Sequence, residues 1–229
     1  MSARLGWLQG TEIALFVVIS LGAVALTMWQ TCIDRSVFER YFGALNPVGV
    51  ITGASMVGVI AIVWLQQHSA FRMVGPGSAS GAVTIIAWVV PVMVVVAIVA
   101  DFVLRFAKDA NVALPDALRF YPAIAVFVEI VLHAVPVAVL VAVLGSPAGL
   151  DATFWRIAVP VALLEAILQA AYATSIGTAV FSAAHLTVFG LVQVWLFWRF
   201  GFVWMLGFRL AYYSLWHVAW AAARLELLF

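Results

Sequence analysis

Residues 177–198, GTAVFSAAHLTVFGLVQVWLFW, decide the fold. These twenty-two residues include no Asp, Glu, Lys or Arg, and His185 is their one ionisable side chain. A helix of about 20 apolar residues crosses the hydrocarbon core of a bilayer, because the core is about 30 Å thick and a helix rises about 1.5 Å per residue. This stretch therefore predicts a membrane-spanning helix.

Six further stretches meet the same test, so the chain contains about seven predicted spans. In chain order they are residues 13–30, 47–65, 82–104, 121–144, 154–172, 177–198 and 202–223. Of all residues, 66% are hydrophobic and 9% are charged, whereas about 25% are charged in a soluble domain. We therefore predict an all-α, polytopic transmembrane helical bundle in the lipid bilayer, and expect a multi-pass protein of a prokaryotic cell membrane.

Charge and cysteine content exclude several functions. The formal net charge is +1, which provides no basic surface for nucleic acid. The chain has one cysteine, Cys32, which excludes an internal disulfide framework and a multi-cysteine metal cluster.

The informative residues are ionisable groups inside the predicted spans. An ionisable group at the bilayer centre costs at least about 2.5–3.5 kcal/mol, so it usually faces a partner or a cavity. We expect the remaining acids, including Asp101, to reach loops or interfaces, and Arg209 to serve in packing or at an interface. The deep groups are Glu129, His133, Glu165, His185 and His217.

Counting from the turns places four of these groups near one depth. Glu165 lies ten residues before Ser175, and His185 lies ten residues after it. His185 and His217 lie sixteen residues on either side of Gly201. His133 and Glu165 lie sixteen residues on either side of Gly149. Because consecutive spans run antiparallel, the Glu165 carboxylate and the three imidazoles of His133, His185 and His217 are expected near one plane of the membrane.

Local spacing predicts the surroundings of this plane. Residues four apart share a face of a helix. We expect Glu129, His133, Gln169 and Tyr213 to support the site, with Glu129 as its second acid. The pairs with this spacing are Glu129 with His133, Glu165 with Gln169, and Tyr213 with His217.

A carboxylate and imidazoles in a dry site are suited to two kinds of chemistry. The carboxylate can act as a general base on water while the imidazoles hold the water and stabilise an oxyanion. Alternatively, neutral imidazoles ligate a metal or haem. A third interpretation is structural, since buried polar pairs also tie membrane helices together. The residues leave open whether a divalent metal or no cofactor is bound.

The segment FSAAHL, residues 181–186, resembles the Phe-x-x-x-His motif of the CAAX protease and bacteriocin-processing family of intramembrane proteases. LEAILQ, residues 164–169, stands where that family has Glu-Glu-x-x-x-Arg, and His217 stands where its last helix has His-x-x-x-Asn or Asp. Gln169 replaces the family's Arg, and Ala221 replaces its Asn or Asp. The resemblance covers residues 160–222. It implies that Glu165 is the general base and that His185 and His217 position the water and the oxyanion.

We therefore predict an intramembrane endopeptidase that acts on a membrane peptide. The alternative is a non-catalytic polytopic protein, either a subunit among other membrane-protein subunits or a binder of a hydrophobic ligand. A haem or metal binder is a further alternative. The deep groups all fall in the last four spans, so we expect residues 117–229 to form a four-helix core and residues 1–116 to form three peripheral helices.

Overall fold

The computed structural model describes the backbone of residues 2–229 and the side chains of residues 10–229. Helices dominate this part of the chain, and no strand occurs in it. The elements are α1 (Ser2–Ile33), α2 (Ser36–Phe42), α3 (Pro47–His68), α4 (Ala79–Leu104), α5 (Ala117–Val128), π1 (Glu129–Ala134), α6 (Val135–Leu144), α7 (Ala152–Ala171), α8 (Ile176–Phe200), α9 (Phe202–Tyr213), π2 (Ser214–Trp220) and α10 (Ala221–Leu228). The segments π1 and π2 are π-helical turns within longer helices.

Six helical stretches within residues 2–229 are long and apolar enough to cross a membrane. The seventh predicted span corresponds to residues 202–228, where α9, π2 and α10 run on as one helix. The predicted all-α polytopic bundle is therefore confirmed, and the chain is an integral multi-pass membrane protein. The six stretches are Gly10–Ile33, Pro47–His68, Ala79–Leu104, Ala117–Leu144, Ala152–Ala171 and Ile176–Phe200.

Polar side chains mark where several spans begin. Asn46 accepts hydrogen bonds from two backbone N–H groups in the first turn of α3, and Pro47 takes the first helical position. Backbone N–H groups at the starts of α4, α7 and α8 likewise donate hydrogen bonds to the side chains of Ser78, Asp151 and Ser175. These bonds satisfy donors that a helix leaves unpaired in its first turn. The start of α8 at Ser175, from which the depths of Glu165 and His185 follow, is thus fixed by local chemistry.

A small residue brings α7 and α8 together beside the deepest polar groups. A Cβ atom added to Gly190 of α8 would lie 2.8 Å from the Cα atom of Ala162 in α7. No side chain fits between the two backbones at this point. Ala162 is three residues before Glu165, so this contact holds α8 against the turn of α7 that carries the carboxylate.

The first three spans differ in how they pack. α1 lies against α3 and α5, and α3 lies against π1 and α6. In contrast, α4 contacts α8, α9 and π2, and its Ala97 lines the central cavity described below. α4 therefore departs from the predicted division at residue 116, because it forms a wall of the polar interior.

Asp101 in α4 is a correction to the sequence analysis, which placed it at a loop or an interface. Its side chain is 0% exposed. The carboxylate accepts hydrogen bonds from Arg224 Nε at 2.7 Å, Arg224 Nη2 at 2.9 Å and Trp220 Nε1 at 2.9 Å. Arg224 also donates to the carbonyls of Phe106 and Ala107. The pair therefore joins α4 to α10 and anchors the loop that follows α4.

Candidate intramembrane polar site

A cavity of about 190 Å³ lies between α4, α7, α8 and the last helix, and we call it the inner chamber. It is lined by Glu165, His185 and His217, and also by Gln169 and Tyr213. Because a water molecule takes about 30 Å³, the inner chamber has room for several waters. The structure thus brings together five of the residues that the sequence singled out.

Arg209 of α9 organises the charges at one wall of the inner chamber. Its side chain is 1% exposed, and its Nη1 and Nη2 donate to Glu165 Oε1 at 2.8 Å and Oε2 at 2.6 Å. Its Nε donates to Glu129 Oε1 at 2.5 Å. Further bonds reach the hydroxyl of Tyr213 at 3.0 Å and the amide oxygen of Gln193 at 2.8 Å. These contacts use all five N–H donors of the guanidinium group.

The prediction that Arg209 is an ordinary packing or interface residue is therefore wrong. Arg209 lies eight residues after Gly201, which places it about 12 Å along the helix from that turn. This depth was the signal that could have identified it. Gln193 also lies deep in α8, where it donates to the Glu129 carboxylate as well as accepting from Arg209.

Two buried carboxylates, of Glu129 and Glu165, bind the one guanidinium group of Arg209. When Glu129 and Glu165 are both ionised, these three side chains carry a net charge of −1. His133 is the neighbour of Glu129 on the side away from Arg209, and its Nδ1 lies 3.1 Å from Glu129 Oε2. The ring is not aligned for a hydrogen bond, and neither of its nitrogens has a hydrogen-bond partner among residues 10–229. Glu129 and His133 thus lie behind Arg209, as a second layer.

The two histidines of the inner chamber are each held by a polar and an aromatic neighbour. His185 Nε2 lies 3.1 Å from the hydroxyl of Tyr212, and its ring stacks on Phe181 with centroids 5.2 Å apart. His217 Nδ1 lies 2.5 Å from Asn111 Oδ1. An Nδ1–H group that donates to this oxygen leaves Nε2 of His217 as an acceptor. The two imidazoles are therefore oriented before any ligand binds.

Both π-helical segments carry residues of this site. π1 contains Glu129 and His133, and π2 contains His217. A π-helical turn changes the direction of the side chains on it, and such turns are frequent at functional sites. Helical spacing in the sequence did not indicate either segment.

Three hydroxyl or amide side chains of the cavity were not singled out by the sequence analysis: Asn111, Ser182 and Tyr212. Asn111 lies in the loop after α4, 106 residues from its partner His217. No local pattern links residues so far apart, so this contact could be found only from the tertiary structure.

The site offers hydrogen-bonding and acid–base groups. Among the side chains of residues 10–229, no three His, Cys, Asp or Glu groups are placed to hold a metal ion. The metal-binding alternative therefore has no set of three such ligands in that part of the chain.

Comparisons with known protein-family models, with curated proteins and with solved structures find no match to this chain. The fold and the site define the class, a multi-pass helical membrane protein with a buried charged cluster beside a cavity.

Proposed function

We propose that the protein is an intramembrane hydrolase, an endopeptidase resembling the CAAX protease and bacteriocin-processing family, in a prokaryotic cell membrane. The observation that carries the proposal is that Glu165, His185 and His217 line one chamber that has room for water. A membrane peptide is the proposed substrate.

Glu165 is the general base of the proposed reaction. Its carboxylate accepts two hydrogen bonds from Arg209, and a carboxylate is a group that can accept a proton from water. Because the guanidinium is shared with Glu129, one positive charge faces two negative charges. The excess negative charge leaves the cluster able to take up a proton from water.

The histidines have separate roles in this reaction. Nε2 of His217 accepts a hydrogen bond from the water and orients it. As Glu165 takes the proton, the water oxygen bonds to the carbonyl carbon, and the carbonyl electrons move to its oxygen. His185 Nε2–H donates to the hydroxyl of Tyr212 and positions it, and this hydroxyl donates to the oxyanion and stabilises it. Glu165 then returns the proton to the leaving nitrogen as the carbon–nitrogen bond breaks.

The second candidate is a non-catalytic membrane protein, either a subunit of a complex or a binder of a hydrophobic ligand. The observation in its favour is that all five donors of Arg209 have partners. A closed network of this kind also serves to tie helices together.

Cleavage and stability measured side by side distinguish the two functions. Purified protein in nanodiscs is incubated with a membrane-peptide library, and new peptide ends are found by mass spectrometry. Glu165→Gln and His185→Ala should each lower the rate by about 100-fold or more, with the fold retained. Val188→Ala, on the exposed side of α8, is the control and should cleave normally. Unimpaired cleavage by both site variants would refute the hydrolase.

A further inference from the structure

A second chamber adjoins the first at one face of the membrane. This outer chamber has a volume of about 530 Å³. Its wall includes Arg40 and Tyr41 of α2, Asp109 of the loop after α4, and Tyr172 and Thr174 of the turn between α7 and α8. These elements follow the ends of α1, α4 and α7. Because consecutive spans cross the bilayer in opposite directions, these three helices end on the same side of it.

Four residues line both chambers and form a neck between them: Phe106, Ala110, Gln169 and Ser182. They come from the loop after α4, the end of α7 and the beginning of α8. Gln169 lies one helical turn from Glu165. The two chambers therefore adjoin at these four side chains, which stand between the membrane face and the carboxylate.

The neck is anchored rather than loosely packed. The backbone N–H of Phe106 donates to Asp101 Oδ1 at 3.0 Å, and its carbonyl accepts from Arg224 Nη2 at 2.9 Å. The ring of Phe106 lies 5.9 Å from the rings of Phe181 and Trp216, centroid to centroid. The buried pair of Asp101 and Arg224 thus sets the position of the aromatic side of the neck.

An exposed ion pair lies at the wall of the outer chamber. Arg40 Nη2 lies 3.2 Å from Asp109 Oδ2, and Arg40 Nη1 donates to the carbonyl of Asp109. This pair joins α2 to the loop after α4. The outer chamber therefore has a polar wall, in contrast to the apolar surface that the spans present to lipid.

Both chambers have room for water. A water molecule takes about 30 Å³, and the inner chamber has a volume of about 190 Å³. The outer chamber, of about 530 Å³, is within the range of about 300–1,000 Å³ that is typical of ligand sites. Water can therefore fill the space on both sides of the neck.

We propose that the two chambers form a hydrophilic access route to Glu165 from the membrane face that carries α2. The side chains of the neck, Phe106 among them, stand between the two chambers and limit the passage of solutes. The identity of the solute rests on the proposed function, whereas the route can be tested without any enzymatic activity.

Cysteine labelling tests the route. The one natural cysteine, Cys32, is exposed and is first replaced in Cys32→Ser. Leu186 lines the inner chamber, ten residues beyond Ile176 and so about 15 Å along α8. Val188, two residues further on, is 54% exposed on the outer surface of the helix. A charged, membrane-impermeant methanethiosulfonate reagent reacts with a thiolate in water. It should modify Leu186→Cys at least tenfold faster than Val188→Cys.

The direction and the neck are tested in the same assay. In vesicles, Leu186→Cys should react from the same face as Thr174→Cys, and Phe106→Ala should speed its reaction severalfold. Equal reaction at Val188→Cys, or no reaction at both Leu186→Cys and Ser182→Cys in protein with unchanged thermal stability, would overturn the route. A labelled protein that cleaves nothing contradicts only the hydrolase, and a protein that cleaves but is unlabelled contradicts only the route.

Discussion

Replacing Arg209 should destabilise the protein more than replacing a carboxylate that it binds. Arg209→Gln removes the guanidinium and leaves Glu129 and Glu165 without their shared cation. These two residues are 0% and 4% exposed, so water compensates little for the loss. Leaving a buried charge unpaired costs about 3–5 kcal/mol. We expect Arg209→Gln to lower the free energy of unfolding by about that amount.

Glu165→Gln should cost less, because it leaves one carboxylate facing one guanidinium. The net charge of Glu129, residue 165 and Arg209 then changes from −1 to zero. The amide oxygen can keep one of the two hydrogen bonds to Arg209. The expected loss is about 1–2 kcal/mol, as for interhelical polar contacts in model membrane peptides.

Equilibrium unfolding in mixed detergent micelles, followed by tryptophan fluorescence, measures both losses. The chain contains 10 Trp residues that report the transition. Arg156→Gln, an exposed arginine change in α7, is the matched control and should shift the free energy by less than about 0.5 kcal/mol. Similar losses for Arg209→Gln and Glu165→Gln would show that the cluster lacks the excess negative charge on which the general-base role of Glu165 depends.

Three further predictions test the surrounding structure. Asp101→Asn should leave the charge of Arg224 uncompensated and lower the free energy of unfolding by about 3–5 kcal/mol. Limited proteolysis should then cut the loop after α4. An uncut loop in a destabilised protein would contradict the anchoring role of Asp101. The pKa of Asp151 is lowered from 3.8, mainly because its carboxylate accepts a hydrogen bond from the backbone N–H of Phe154 at the start of α7. The stability that this bond contributes is present above pH 3.8 and is lost as the pH falls through the pKa of the folded state. Acid unfolding should therefore show a weaker pH dependence in Asp151→Asn, and an unchanged profile would count against the cap. Gly190→Ala should lower the free energy of unfolding by about 1–3 kcal/mol, because the added Cβ forces α7 and α8 apart. Gly22→Ala is the control and should be neutral or stabilising, since no atom lies within 4 Å of its added Cβ. Equal thermal melting temperatures for the two variants would contradict the close contact.

The sequence by itself determined the spans and the depth of the groups inside them. Both follow from one length scale, since the bilayer thickness and the rise of a helix fix where an apolar run must begin and end. This is why Glu165, His185 and His217 could be placed in one plane from their distances to Ser175 and Gly201. The same count would have placed Arg209 at depth had it been applied to the basic residues.

Only the tertiary structure decided which deep groups meet. Depth says nothing about the rotation of a helix around its axis or about which helices are neighbours. Those are set by packing, as where Gly190 admits the backbone of Ala162. The sharing of Arg209 between two carboxylates depends on such packing.

The contact of Asn111 with His217 and the two π-helical turns also needed the tertiary structure. The first joins residues 106 apart in the chain, and no helical period links a loop to a span. Each π-helical turn is a local widening of the backbone helix, and the apolar periodicity of the sequence does not indicate it. The depth of a group inside a span can be counted from the sequence because the bilayer sets a length, whereas the partners of that group depend on side-chain packing between helices.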